Sequence, residues 1–386
     1  MAEAYIVEAV RTAGGRRNGA LSGWHPADLA GEVLSAIVDR SGIDPAVIDD
    51  VILGCVTQAG EQGFAFARNA VLASRLPQSV PAVTVDRQCG SSQQALQFAA
   101  QAVMSGTQDI VIAAGAESMS RVPMFSNITL HAGAGMGVGP FSERIRKRFG
   151  VEDFSQFEGA EMVAAKYGFD REALDHYALQ SHKRAAAATL AGSLDGQIVP
   201  IAVDGGVHDK DEGIRYDATP ESIASVKLIK EGGVLSPANA SQISDGASAV
   251  LVVSERALKE CGLTPIARIV NLTVTAGDPV IMLEEPVFAT RKALDRAGMT
   301  IGDIDLYEVN EAFAPIPMAW MQALEADPAR LNVNGGAIAL GHPLGATGTK
   351  LMTTLIHELR ARGKRYGLQA ICEGGGTANV TIVEAF

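Results

Sequence analysis

The chain has 386 residues, 47% hydrophobic and 20% charged, with a formal net charge of −12, which is enough for two or three packed domains. The acidic balance excludes a general nucleic-acid binder, which needs a basic face. Cys55, Cys89, Cys261 and Cys372 stand far apart with no Cys-x-x-Cys pair, which argues against a zinc site or disulfide framework and for a reduced, cytoplasmic setting.

No signal-like leader and no run of about 18 apolar residues is present, so no membrane span is expected. Short β-branched runs alternate with Ala-rich segments. Residues 5–10, 51–55, 82–85 and 110–114 are predicted strands, and 29–40 and 93–105 predicted helices. That alternation predicts a layered α/β fold. Residues 95–104 are apolar on nearly every face, so that helix is expected inside the molecule.

From about Arg121 to Ala240 the texture changes. The chain is Gly-rich at 132–139, helical at 159–167 and 171–191, then irregular and charged, the pattern of an inserted loop domain. Its basic run, Arg144, Arg146, Lys147 and Arg148, suits a solvated surface, an oligomer contact or a phosphorylated ligand.

Beyond the insertion the chain repeats itself. Gly42 with Gly298, Ile48 with Ile304 and Asp49 with Asp305 share one offset of 256 residues. A helix and a closing strand follow in each half, at 93–105 and 110–114, then at 348–360 and 367–371. Two similar α/β halves are predicted. The expected division is residues 1–120 with 241–265, then the loop domain 121–240, then 266–386.

Four places carry candidate chemistry. Residues 82–88 read as a strand running into Cys89, and Gly90-Ser91-Ser92 lead into the buried helix. A thiol ahead of a helix N-terminus meets unpaired N–H groups that favour the thiolate. Ser91 or Ser92 is a candidate cap. Taken alone, Cys89 is equally well a small buried hydrophobe. His342 lies among Gly335, Gly336, Gly341, Gly345 and Gly348, on a tightly shaped loop that suits a general base. Cys372 ends a strand and faces Gly374-Gly375-Gly376, whose N–H groups can bind an oxyanion. Asn310 follows another strand, as a turn former or as a holder of water or a carbonyl oxygen.

Together these motifs resemble the thiolase family across essentially the whole chain. Val10-Arg11-Thr12, the Cys89 loop, residues 241–247, Asn310-Glu311-Ala312-Phe313, Gly341-His342-Pro343 and Cys372-Glu373-Gly374-Gly375-Gly376 occur in family order. The resemblance implies a five-layer αβαβα fold of two duplicated halves with a CoA-binding loop domain. It implies that Cys89 carries the acyl group, that His342 activates it, and that Cys372 is the second acid/base. Asn310 would hold a water beside His342, the backbone N–H groups of Cys89 and Gly374 a second oxyanion, and Ser241 the pantetheine arm. CoA and acyl-CoA would be substrates with no bound cofactor, and the assembly a dimer or tetramer.

Several positions depart from the common family pattern: Asp86 where Asn is frequent, Ser92 where Gly is frequent, no Met-Gly pattern at 156–161, and Glu373 after Cys372. The last resembles thiolases of actinobacterial steroid and related β-oxidation pathways. It points toward thiolysis of longer or cyclic 3-ketoacyl-CoA. The alternatives are a biosynthetic acetoacetyl-CoA thiolase, a ketoacyl synthase, which would lack the second cysteine, and a non-catalytic acyl-CoA-binding relative.

Overall fold

The computed structural model describes residues 2–386. The strands that matter here are β1 (Ala4–Thr12), β2 (Asp50–Gly54), β3 (Ala82–Val85), β4 (Ile110–Ser118), β5 (Ser244–Ser254), β6 (Ala267–Ala276), β7 (Leu306–Val309), β8 (Tyr366–Glu373) and β9 (Thr377–Ala385). The helices are α1 (Pro26–Ser41), α2 (Ser91–Ser105), α3 (Arg171–Leu190), α4 (Glu285–Ala297) and α5 (Thr347–Ala361).

The strands run in the order β3-β2-β4-β5-β1-β6-β9-β8-β7. β1 and β6 meet only at Tyr5–Arg268 and Ile6–Ala267, so two sheets are joined along a short seam. Within each sheet the order repeats. β2 lies between β3 and β4 with parallel pairing, and β7 pairs in parallel with β8. The counterpart of β3 in the second sheet shrinks to a parallel bridge between Tyr307 and Leu331. β4 and β5 are buried along their whole length, which suits the apolar runs at 110–116 and 249–253 within them.

Three apolar layers complete the stack. Leu29, Val33, Leu34 and Ile37 of α1 pack on Val51, Leu53, Ile112 and Leu251 of the first sheet. Leu96, Ala99 and Val103 of α2 meet Met352, Leu355 and Leu359 of α5 between the sheets. Val287 and Leu294 of α4 cover Leu368, Val380 and Ile382 of the second sheet. The result is αβαβα, and α2 lies in its middle layer as its sequence requires, although Phe98 stays partly exposed.

The repeat is written in hydrogen bonds. Asp49 accepts from the N–H groups of Asp109 (2.7 Å) and Ile110 (2.9 Å). Asp305 accepts from Arg365 (3.0 Å) and Tyr366 (2.9 Å). Each aspartate clamps the entry to the strand that follows the central helix, and α2 and α5 begin 256 residues apart. Among the described residues no helix is long and apolar enough to cross a membrane.

Candidate active site

The expected strand into Cys89 stops at Val85. Residues 86–90 turn instead, with Gln88 in the left-handed region at φ 48, a conformation a side chain adopts only under constraint. Ser91 supplies that constraint. Its hydroxyl donates to the Gln88 carbonyl (2.6 Å) and accepts from the Arg87 N–H (2.9 Å). Ser92 accepts from the N–H of Thr349 at the start of α5 (3.0 Å). Neither serine caps α2; Gly90 holds the cap position without a side-chain bond. Both hydroxyls are spent on fixing the turn and joining the two central helices. A Cβ on Gly90 would collide with the Glu373 carboxyl, so any larger residue there must displace that side chain.

Cys89 is only 8% exposed and packs with Val56, Met119, Leu344 and Ile371. Burial, and next the charge of Glu373, push its thiol up to about 12, and its backbone N–H offsets this only in part. The helix end therefore does not leave a resting thiolate, because desolvation of the charged form outweighs the local dipole. Cys89 rests as a thiol and needs a base.

His342, in the loop before α5, is the candidate base. Thr347 donates its single hydroxyl proton to the Pro343 carbonyl (2.9 Å). Toward His342 Nδ1, 2.6 Å away, it can therefore only accept. The proton sits on Nδ1 and Nε2 keeps its lone pair. The Asn310 amide donates to Nε2 at 3.3 Å. Burial, then the charge of Lys350, push the imidazole down to about 3, so it is neutral at ordinary pH. The loop is pressed against the Cys89 helix: a Cβ on Gly345 would lie 2.7 Å from the Gly54 carbonyl oxygen, and one on Gly348 would collide with Gln93.

Cys372 lies near the end of β8, opposite Ala378. Burial, then the charges of Cys89 and Glu373, hold its thiol well above the ordinary range. Gly374 opens the turn into β9. Asn310, one residue past β7, is buried with its side-chain oxygen free of any protein partner among the described residues. Ser241 donates its N–H to Ala312 (2.9 Å), and its neighbour Ala240 bridges Phe313. The Asn310–Phe313 segment is thus zipped to residues 239–241. Gln242 continues to the next loop, accepting at its carbonyl from the His342 N–H (3.3 Å). All six expected positions fall on these adjoining segments.

Several supporting residues escaped the sequence. Glu117 accepts from the N–H groups of Val56, Thr57 and Gly345 and from Gln62, each at 2.9 Å. It staples the His342 loop to the first sheet. Glu311 accepts from Tyr177 (3.0 Å), Ser181 (2.6 Å), Asn332 (3.0 Å) and the Ile338 N–H (3.1 Å), fixing the segment that carries Asn310. A charge inside the apolar run 110–118 was the available signal for Glu117, since a buried carboxylate must find donors.

A buried thiol, a neutral imidazole and a second buried thiol on adjoining segments are groups suited to acyl transfer through sulfur. Residues 4–256 match the thiolase N-terminal domain and 263–385 the thiolase C-terminal domain. The chain is 52% identical over its whole length to a steroid 3-ketoacyl-CoA thiolase, FadA6, of Mycobacterium tuberculosis, covering 94% of that protein. It is 40% identical to a 3-ketoacyl-CoA thiolase of Cronobacter sakazakii, with both chains fully covered. The crystal structure of a Bacillus anthracis acetyl-CoA acetyltransferase superposes with a TM-score of 0.92 at 37% identity, covering 100% of this chain and 99% of the other. The chain belongs to the thiolase family. It is an acyltransferase acting on CoA thioesters.

Proposed function

We propose that the chain catalyses CoA-dependent thiolysis of 3-ketoacyl-CoA to acetyl-CoA and a shortened acyl-CoA, with the reverse condensation also open to it. The observation that carries this reading is the seating of His342, with Nδ1 2.6 Å from the Thr347 hydroxyl and Nε2 facing the Asn310 amide, an arrangement that suits Nε2 as the proton acceptor. His342 Nε2 takes the Cys89 proton as the sulfur attacks the 3-keto carbon. The alkoxide collapses and the C2–C3 bond breaks, leaving the shortened acyl group on Cys89. Cys372 protonates the departing acetyl-CoA carbanion, a task suited to a thiol that holds its proton tightly. The Cys372 thiolate then deprotonates CoA, whose sulfur attacks the thioester, and His342 returns the proton to Cys89.

Each half-reaction creates negative oxygen along this path. One oxyanion site is assigned to His342 Nε2–H with a water held by Asn310, the other to the backbone N–H groups of Cys89 and Gly374. CoA and acyl-CoA enter as substrates, with no further cofactor. Ser241 is assigned to the pantetheine arm. Residues 121–240 are taken as the CoA-binding loop domain, between an N-terminal half of 1–120 with 241–265 and a C-terminal half of 266–386. Exposed Arg144, Lys147 and Arg148 are candidate phosphate contacts.

The favoured substrates are larger or ring-bearing 3-ketoacyl-CoAs. The 52% identity to a steroid thiolase supports this, as does the Cys-Glu-Gly-Gly-Gly sequence. A homo-oligomer, dimer or tetramer, is favoured by the sheet-edge strand β3 with exposed Val83 and by nearby Phe64, 93% exposed, since such edges invite pairing. A cytoplasmic setting is proposed from the unpaired cysteines. A thiolysis panel of acetoacetyl-, long-chain and ring-bearing 3-ketoacyl-CoA tests the substrate class. Highest kcat/KM on the ring-bearing member is expected; highest kcat/KM on acetoacetyl-CoA would make the chain a biosynthetic-type thiolase instead.

A further inference from the structure

Lys350 is buried in the first turn of α5, where a charged ammonium is costly unless it is paired. It donates to the carbonyls of Leu340 (2.5 Å) and Gly341 (2.8 Å), the two residues immediately before His342. Its electrostatic neighbours are Asp211, Arg11 and Glu308, and Glu308 in turn feels Glu311 and Glu358. Arg11 pairs with both Asp211 oxygens (2.8 and 3.0 Å), and Asp211 also accepts from the Gly14 N–H (2.7 Å). A Cβ on Gly14 would sit 2.6 Å from the Leu340 carbonyl oxygen. Three distant segments, 11–14, 211 and 340–342, therefore close on one ammonium.

We propose that Lys350 is the positioning residue of the His342 base: its N–H groups pin the two carbonyls that aim the imidazole, and its ammonium, drawn to Asp211, sets a positive charge behind the base. This rests on His342 acting as the base. The charge acts in the right direction, because a cation nearby disfavours imidazolium. Burial holds Lys350 down at about 7, so it carries its charge on the acid side of neutrality, where it adds to the burial that already keeps the imidazole neutral. Because Asp211 comes from the irregular segment between β4 and β5, seating of that segment and aim of the base are coupled.

The test compares K350M, K350Q and K350R, with H342A beside them, in acyl transfer to Cys89 from the lowest pH at which the protein stays folded up to about pH 9, with melting curves to establish folding. K350M should lose about 100-fold in kcat/KM, as misplaced catalytic groups do, with its acid limb moved to higher pH. K350Q, which keeps a donor for the carbonyls, should lose less rate but show the same limb shift. K350R should restore both rate and limb. A folded K350M or K350Q with the wild-type acid limb overturns the proposal; if K350M does not fold, K350Q decides. Should H342A keep the wild-type limb, the base assignment itself fails. If H342A abolishes transfer while K350Q keeps the wild-type limb, only the role of Lys350 falls.

Discussion

Glu117 and Glu373 occupy the same place in the two halves, 256 residues apart at the ends of β4 and β8. Both carboxyls are buried. Glu117 collects four donors and holds loops together. Glu373 has a hydroxyl from Thr377 at 2.7 Å on one oxygen and no partner on the other among the described residues, while it lies against Gly90. The same offset pairs Cys89 with Gly345, Asn310 with Gly54 and Cys372 with Ala116. At each of these pairs one half carries a residue assigned to the chemistry and the other a small residue. Duplication provides the frame twice, and the site arises where the copies stop being alike.

That contrast can be broken experimentally, beginning with the chemical member of each pair. Cys89→Ala should lower thiolysis on the order of 10⁴-fold or more, as loss of a covalent nucleophile does; steady-state turnover near wild type would remove Cys89 from the mechanism. Cys372→Ala should leave acylation of Cys89 by a simple acyl-CoA within roughly 10-fold but slow carbon–carbon cleavage of 3-ketoacyl-CoA by about 10²–10⁴-fold, the span of a lost general acid/base. Equal losses with the two donors would reassign it.

The small members should respond in stability. Gly54→Ala places a Cβ 2.8 Å from the Gly345 carbonyl oxygen and against the Ser92 N–H, with backbone on both sides. Overpacking of this kind costs about 1–3 kcal/mol, read as a lower melting temperature with weakened activity. An unchanged melt would mean that the interlock is loose.

The two glutamates should separate in their pH behaviour. Glu117→Gln leaves N–H donors facing an amide and should cost about 1–3 kcal/mol. Glu373 is held up to about 8, chiefly by burial. Its carboxyl stays protonated in the fold after it would have ionised in the unfolded chain. Wild-type stability is therefore lost as pH rises from the ordinary carboxylate range through about 8. Glu373→Gln should remove that slope, so the gap between their melting temperatures widens over this window. Alkylation of Cys89 should match wild type at pH 6.5 and exceed it several-fold at pH 9, where the lost charge no longer opposes the thiolate. Equal alkylation at both pH values would detach Glu373 from Cys89.

The sequence carried the fold because strands, helix faces and the repeat are local patterns. β-branched runs marked β3 and β4, and Asp49 and Asp305 revealed the duplication through hydrogen bonds of identical form. Cys89, His342 and Cys372 stood out as candidates because glycines crowd around them. Glu117, Thr347 and Lys350 did not, for two reasons. Glu117 finds its donors up to 228 residues away. Thr347 and Lys350 act through a loop whose path depends on contacts with Gly54 and Gln93. The expected thiolate at Cys89 failed for a related reason. A helix end is visible in sequence, but the dryness that outweighs it comes from Val56, Met119, Leu344 and Ile371, which tertiary folding assembles.

The central claim is that Cys89 carries the acyl group between donor and CoA. Mixing the protein with acyl-CoA, removing free CoA, and mapping acyl mass by peptide mass spectrometry tests it directly. The account predicts one acyl group on the Cys89 peptide, discharged on adding CoA. Acyl mass on Cys372 or Cys55 instead, or on no residue while turnover proceeds, would contradict it.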